Sequence, residues 1–559
     1  MAAILALASA HAGATSGRDT LIVGGAAWAS ASSNKSLRPL LSYSNEWGRY
    51  TQYDRGEIAM GASVKYAHKF KNQSLRFTTG LTAQLSSDSE RTMLHELYAD
   101  FDLWMFGVKM GMENYTPIES NTGVSVGSYL MSNNAQTVPR VWVGILDYWS
   151  LPLDELPWAP MKKMGDLLQI RGGVSFGLLD DEGRGDAVDG ALLHEKFAYA
   201  RIGQFAVKPY AGLYHSVVMG GTLPNGVEIP TDFWNSFFGR NGDMEVFGTR
   251  FLGETTNAAG AHQGMWDFGL DISWGGVGGK LYYQRPFSDG KTLNPAKGGI
   301  KDFSCGILLS FSTTRFVKEA ALEYTTTKWQ GGEGFPDPYI PTQSGQMMYI
   351  YPGHFNTVSI PHFRETVLLP EDVAEWEAKN GKITEWNGMN RFLMDTYNHG
   401  EEFGGRILYL YNWAVPQGWT RGGLSMGSPL FHSRKTVRQY APAGSMDFSQ
   451  AFPNVRVRAV NIGLRGDIAP GRVDYALRVT LSRNYGNYRE KYTGNDPSSS
   501  WVLKENYFFS SPRNETYTKL DLNFKLRGGF GLQSQLAYDF GELYHSFSAR
   551  LGIRYKFEM

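Results

Sequence analysis

Two His-Glu pairs are the first residues of this 559-residue chain whose types invite chemistry: His95 with Glu96, and His194 with Glu195. A zinc-protease helix needs a second histidine four residues after the first, on the same face. Positions 99 and 198 are both alanine, so neither pair makes that site, and no metal or other cofactor is expected. No nucleophile elbow and no Ser, His, Asp set stands out, so the sequence predicts no catalytic residues. The remaining chemistry is cationic. The inward faces of the last strands are expected to carry Arg456, Arg458, Arg472, Arg478, Arg483, Lys519, Lys525, Arg527, Arg550, Arg554 and Lys556, against Asp474, Asp521, Asp539 and Glu558. Guanidinium forks hold carboxylates and phosphates in bidentate fashion, which suits acidic sugars or lipopolysaccharide phosphates. Neutralisation by carboxylates elsewhere is the competing expectation, because 54 Lys+Arg balance 54 Asp+Glu. That balance also removes any global field toward nucleic acid.

The elements that carry these residues repeat every two positions. From Phe547 to Phe557 the odd positions are apolar (Phe547, Ala549, Leu551, Ile553, Tyr555, Phe557), while Ser548, Arg550, Gly552, Arg554 and Lys556 are not. Leu520, Leu522 and Phe524 alternate with Asp521, Asn523 and Lys525, and Leu75, Phe77, Leu81 and Leu85 face away from Arg76, Thr78, Thr82 and Gln84. Runs of about ten residues with one oily and one wet face are what a tilted strand needs to cross a bilayer. Such a strand puts His95 and Glu96 on opposite faces. The predicted fold is therefore all-β: a transmembrane antiparallel β-barrel with long extracellular loops, of roughly 16 to 20 strands by the count of alternating runs.

Composition narrows the rivals. No run of about 18 apolar residues exists to make a membrane helix, and mean hydropathy is −0.32, as expected when half of each strand is wet. The 65 Gly, 30 Tyr, 32 Phe and 15 Trp suit turns and interfacial aromatic girdles. A soluble sandwich or propeller would alternate too, but strands this long are unusual there. One cysteine, Cys305, precludes an internal disulfide and reads as a buried thiol. Residues 1–12 read as the remnant of a signal peptide, with Ala10, His11 and Ala12 as an A-x-A site and no basic start; residues 13–559 are then one barrel domain. Gly466 to Gly471 and Gly528 to Gly529 read as short periplasmic turns, and Asn484 to Tyr517 as a long outer loop. Gly221 to His262 and Lys328 to Gly404 lack alternation and read as large extracellular or inward-folded loops, the second with a short helix from Pro370 to Asn380. Pro139 and Arg140 follow the turn-rich Ser132, Asn133 and Asn134, which either constrict the pore or form a plain surface turn.

Several words of the sequence then resemble one family. Leu40, Leu41 and Ser42 through Asn45, Trp47 and Gly48 read as belonging to the first strand. Leu94 through Asp100 read as the fourth; Val138 to Val141 lead to Asp147, Tyr148 and Trp149; Leu192 to Lys196 lead to Tyr199, Arg201 and Gly203. In order and spacing these resemble the capsule assembly proteins of the Wzi family, mainly over residues 40 to 215. The resemblance implies an outer-membrane barrel of about 18 strands acting as a non-catalytic lectin, with capsular polysaccharide and outer-membrane lipids as partners. It implies a helical plug as well, yet no long helical period precedes residue 40, so the sequence leaves closure of the lumen open. The expected polysaccharide contacts are Trp329, Tyr339, Trp376 and Trp386 in the loops with Arg456, Arg458 and Arg478 on the wall; Glu96, Asp100, Arg140 and Glu195 are expected to form a polar network in the lumen. A porin for small or anionic solutes is the alternative function.

Overall fold

The computed structural model describes residues 18–70, 75–155, 165–179, 187–229, 231–240, 260–287, 301–329, 370–382, 410, 415–487, 490 and 506–559, with a few short strands between them. Eighteen antiparallel strands form one sheet. The first nine are β1 (Arg18–Ser32), β2 (Gly56–Lys69), β3 (Leu75–Ser86), β4 (Met93–Leu103), β5 (Phe106–Met112), β6 (Arg140–Ser150), β7 (Leu168–Leu179), β8 (Ala191–Ile202) and β9 (Val207–Met219). The second nine are β10 (Ala261–Trp274), β11 (Val277–Phe287), β12 (Phe303–Phe311), β13 (Glu319–Thr326), β14 (Val457–Ala469), β15 (Val473–Asn484), β16 (Arg513–Lys525), β17 (Phe530–Gly541) and β18 (Ser546–Glu558). Each strand pairs with its sequence neighbours, and β1 also pairs with β18, Ile22 opposite Glu558 through Ser32 opposite Ser548. The sheet is a closed barrel without an edge.

Alternation decides which side each residue takes. On β18 Leu551, Ile553, Tyr555 and Phe557 are exposed on the outer surface, and so are Leu532, Leu536 and Tyr538 of the adjacent β17. Phe101, Leu103, Val141 and Val143 continue this apolar belt around β4 and β6. An even-numbered barrel with such a belt is a bacterial outer-membrane protein. Connections at the end that carries both termini are mostly brief, as between β10 and β11, whereas the opposite end carries residues 33–55, 113–139, 220–260 and 327–456. Loop length makes the latter end extracellular. The 151–167 connection is the long exception on the periplasmic side.

Three differences from the sequence reading follow from tertiary packing. Leu40–Tyr43 is a short helix, fully buried, in the segment between β1 and β2 and not part of the first strand. Its apolar residues pack inside the barrel, where a strand pairing would leave them nowhere to go. His95 and Glu96 both face inward, because the register runs from Thr82 opposite Glu96 to Ala83 opposite Leu94, leaving His95 as an extra, bulged residue. Cys305 is only half-buried, on the outer side of β12. The helix Pro370–Asn380 is present. Residues 1–12 and Trp386 lie outside the described residues.

Candidate functional site: the plugged lumen and its rim

Three extracellular segments turn inward and fill the upper lumen. Residues 33–55, 113–139 and 415–456 contribute Leu40, Tyr43, Tyr129, Leu130, Trp419 and Phe452 to a single buried cluster continuous with the wall. Burying side chains of this size contributes about 1.5–3 kcal/mol each. The segments also bond to one another: Trp47 N–H donates to Asn133 O at 2.7 Å, Ser132 N–H to Met426 O at 2.8 Å, and Trp419 Nε1 to Leu130 O at 2.7 Å. Close approach requires glycine here, since a Cβ at Gly427 would lie 2.1 Å from Tyr129 O, and one at Gly463 of β14 would lie 2.1 Å from Val124 O.

Wall carboxylates seize the plug backbone. Asp539 of β17 accepts from Leu40 N–H at 2.5 Å, and Glu323 of β13 accepts from Val126 N–H at 2.7 Å and from Asn461 Nδ2 at 2.7 Å. Arg140, at the end of the 113–139 segment, pairs with fully buried Glu195 at 2.6 Å, and its other nitrogen donates to Tyr115 O at 2.5 Å. Glu195 further accepts from Ser175 Oγ at 3.1 Å and from the Tyr214 hydroxyl. The turn-rich Ser132 to Asn134 is thus part of the constriction. Burial raises the Tyr43 hydroxyl and pushes Tyr115 up to about 12. Burial also lowers His432, on the third segment, to about 4, with its Nδ1 2.9 Å from the Tyr440 hydroxyl.

Beneath the plug the lumen is open and charged. A cavity of about 760 Å³ reaches from Glu46, Arg49 and Glu96 down to Arg554 and Lys556 at the periplasmic end. A second of about 300 Å³ adjoins it along Lys519, Asp521 and Arg550. Glu96 accepts from Thr82 Oγ1 at 2.9 Å and from Asn114 N–H at 3.1 Å, and Asp100 accepts from Lys109 Nζ at 2.9 Å. The cations of this wall are largely matched: Lys519 sits 3.0 Å from Glu46 and 3.1 Å from Asp521, and Lys525 2.9 Å from Asp474. Arg472 and Arg527 lie exposed in the short turns instead of on the wall.

Among the described residues, Arg456, Arg458 and Arg478 of the expected polysaccharide contacts take three different places. Arg478 is buried and donates to Ser125 O at 3.2 Å, so it belongs to the plug's anchoring. Arg458 and Arg483 point outward, in phase with Ile462 and Leu481 of the lipid belt. The polarity of the alternation inverts at this height: inward Val457 and Ala459 are buried against the plug, and the outward positions leave the hydrocarbon. Arg456 donates from Nε to Lys328 O at 2.8 Å. Next to it Trp329 has two ammonium groups within cation–π distance, Lys301 Nζ 4.9 Å and Lys328 Nζ 4.6 Å from its ring centre, with Lys328 also 5.2 Å from the Tyr485 ring. This cation-flanked aromatic surface at the extracellular rim uses Lys301, Lys328 and Tyr485, which the sequence reading passed over; their only local signal is Lys328 beside Trp329. Tyr339 lies in a three-residue strand, Tyr339–Pro341, and Trp376 is half-buried on the helix Pro370–Asn380.

No family model and no curated protein matches the chain. Among solved structures it is similar to Wzi of Escherichia coli, an outer-membrane protein involved in group 1 capsule assembly and described as a carbohydrate-binding β-barrel. Identity there is 10%, over 95% of this chain and 83% of that one, with a TM-score of 0.47. It is also similar to Pseudomonas aeruginosa OprD (9% identity, 97% and 95% covered, TM-score 0.39) and to Acinetobacter baumannii OccAB4 (10%, 97% and 98%, TM-score 0.40). At such identities the likeness says nothing of ligand or activity.

Proposed function

We propose that this protein is a non-catalytic surface lectin of the outer membrane that binds acidic capsular polysaccharide and retains it at the cell. The observation that carries the reading is the packed plug, since a lumen whose upper half is filled by Tyr129, Leu130 and Trp419 and latched by Glu323 and Asp539 offers little to a diffusing solute. Recognition then falls to the extracellular end. Trp329 with Lys301 and Lys328 combines a stacking face with positive charge, the pairing an acidic sugar ring requires. We assign Trp329 and Arg456 to this surface, together with Tyr339, Trp376 and Trp386 of the same 327–456 insertion. The test is binding of purified capsular polysaccharide to detergent-folded protein. Wild-type protein should bind the acidic polymer with an affinity that falls as salt rises, Trp329→Ala should weaken it, and cells lacking the protein should shed polymer into the medium while making as much as before. Unchanged retention on deletion sinks the reading.

A porin for anionic solutes is supported by one feature, the charged cavity of about 760 Å³ on the periplasmic side. Stable single-channel conductance in planar bilayers, with uptake of a small solute falling on deletion, would favour it over the lectin.

A further inference from the structure

The outward pair at the extracellular rim carries an inference independent of what the loops bind. Arg458 of β14 and Arg483 of β15 are direct cross-strand partners. Two residues below them on the same outer face, Val460 opposes Leu481, which is 49% exposed in the lipid belt. Both guanidinium groups therefore stand just above the hydrocarbon. Like charges directly opposite on one face of a sheet repel, and an anion held between them relieves that repulsion. Among the described residues no carboxylate lies within ion-pair distance of either arginine. Glu542, which lies by Asn514 opposite Arg483, is engaged elsewhere, accepting from Asn514 N–H at 2.6 Å. Arg458 Nε is buried with no hydrogen-bond partner, and the Arg483 guanidinium lies 5.9 Å from the Tyr485 ring. Along the same outer face Phe303 packs on Tyr283 at 5.3 Å and on Tyr324 at 5.6 Å, a run of aromatics of the kind that marks the membrane interface.

We propose that Arg458 and Arg483 form a binding site for the phosphate of an outer-leaflet lipid, with the phosphate bridging the two guanidinium forks and the acyl chains lying on Tyr324, Val460 and Leu481. The fork geometry matches a phosphate's oxygens in bidentate fashion. The lipid source follows from position, because a phosphate held on the outer face directly above exposed Leu481 and half-buried Val460 has hydrocarbon beside it.

The test uses the full chain folded in detergent, with bisphosphorylated lipid A, dephosphorylated lipid A and inorganic phosphate as probes and bound lipid counted by native mass spectrometry. Wild-type protein should bind bisphosphorylated lipid A about tenfold more tightly than the R458Q/R483Q variant. Dephosphorylated lipid A should bind both proteins alike, and the R458K/R483K variant should retain part of the difference. A heat-shifted gel band for each variant establishes that the barrel is closed. Equal binding of bisphosphorylated lipid A by wild-type protein and the folded R458Q/R483Q variant overturns the site. Displacement of the lipid by millimolar inorganic phosphate overturns the lipid assignment in favour of a soluble anion.

Discussion

The upper and lower halves of the lumen share one wall and differ in everything else. Above, wall carboxylates Glu323, Asp539 and Glu195 are buried and committed to backbone or side-chain donors. Below, Glu46 and Asp521 line a cavity and share buried Lys519, and Asp474 pairs with the more exposed Lys525 nearer the periplasmic end. Inward positions of the wall thus serve as latches where loops cover them and as ion-pair partners around a cavity where they do not. A buried latch is costly to break because it leaves a partner unsatisfied in a dry place, whereas a surface pair contributes little.

The most drastic way to break this contrast is to empty the upper half. Replacing residues 120–134 by a short Gly-Ser linker should convert a non-conducting barrel into one with stable single-channel current in planar bilayers. An unchanged silent trace from folded protein would mean that 33–55 and 415–456 close the lumen alone. Next in size is Arg140→Met, which strands fully buried Glu195. It should cost about 3–5 kcal/mol, read as a fall in the temperature at which the folded gel band disappears. A loss no larger than that of a surface variant would show that Tyr214 and Ser175 suffice to hold the carboxylate.

Tyr555→Lys tests the outer face that both halves share. Tyr555 is 36% exposed near the periplasmic end, and a charge there should cost on the order of 1–4 kcal/mol according to depth, seen as poor assembly. Its neighbour Arg554 faces the open cavity, so Arg554→Gln should stay within about 0.5 kcal/mol of wild type. The smallest effect is a pH dependence confined to the plug. His432 is held neutral down to about 4 by burial, while in the unfolded chain it takes up a proton near its ordinary value of about 6.5. Between those values only the unfolded form is protonated, so acid favours unfolding. Plug stability should fall by about 1–2 kcal/mol from pH 7 to pH 5. Hydrogen exchange over residues 429–440 measures it, and His432→Gln should flatten that dependence; an equal slope in the variant would assign the effect to another group.

The strands were legible because period two is local. Each of Phe547 to Phe557 takes its side from the residue beside it, and the barrel and its lipid belt follow from that rule, whereas the turn expected at Gly466 to Gly471 is strand as far as Ala469. Arg483 is an odd position, like outward Leu481, so its outward side was open to the same count, and expecting it on the inward face with Arg478 overlooks the parity. Arg458 is different. Val457 and Ala459 on one side and Arg458 on the other read as oily and wet faces, yet the oily side faces the plug and the wet side faces the headgroups, so polarity alone gives the wrong answer. His95 is lost in the same manner, since a bulge shifts its phase and no residue type announces it. Leu40, read as strand, lies in a helix buried inside the barrel, and its N–H is taken by Asp539, 499 positions away. What the sequence alone determined is therefore the wall, whose alternation answers to neighbours and to a bilayer that is the same for every strand. The plug and the engagement of Glu323, Asp539 and Arg140 were decided by the tertiary structure, because they depend on which loops meet inside a closed cylinder, and no local pattern encodes a contact between segments hundreds of residues apart.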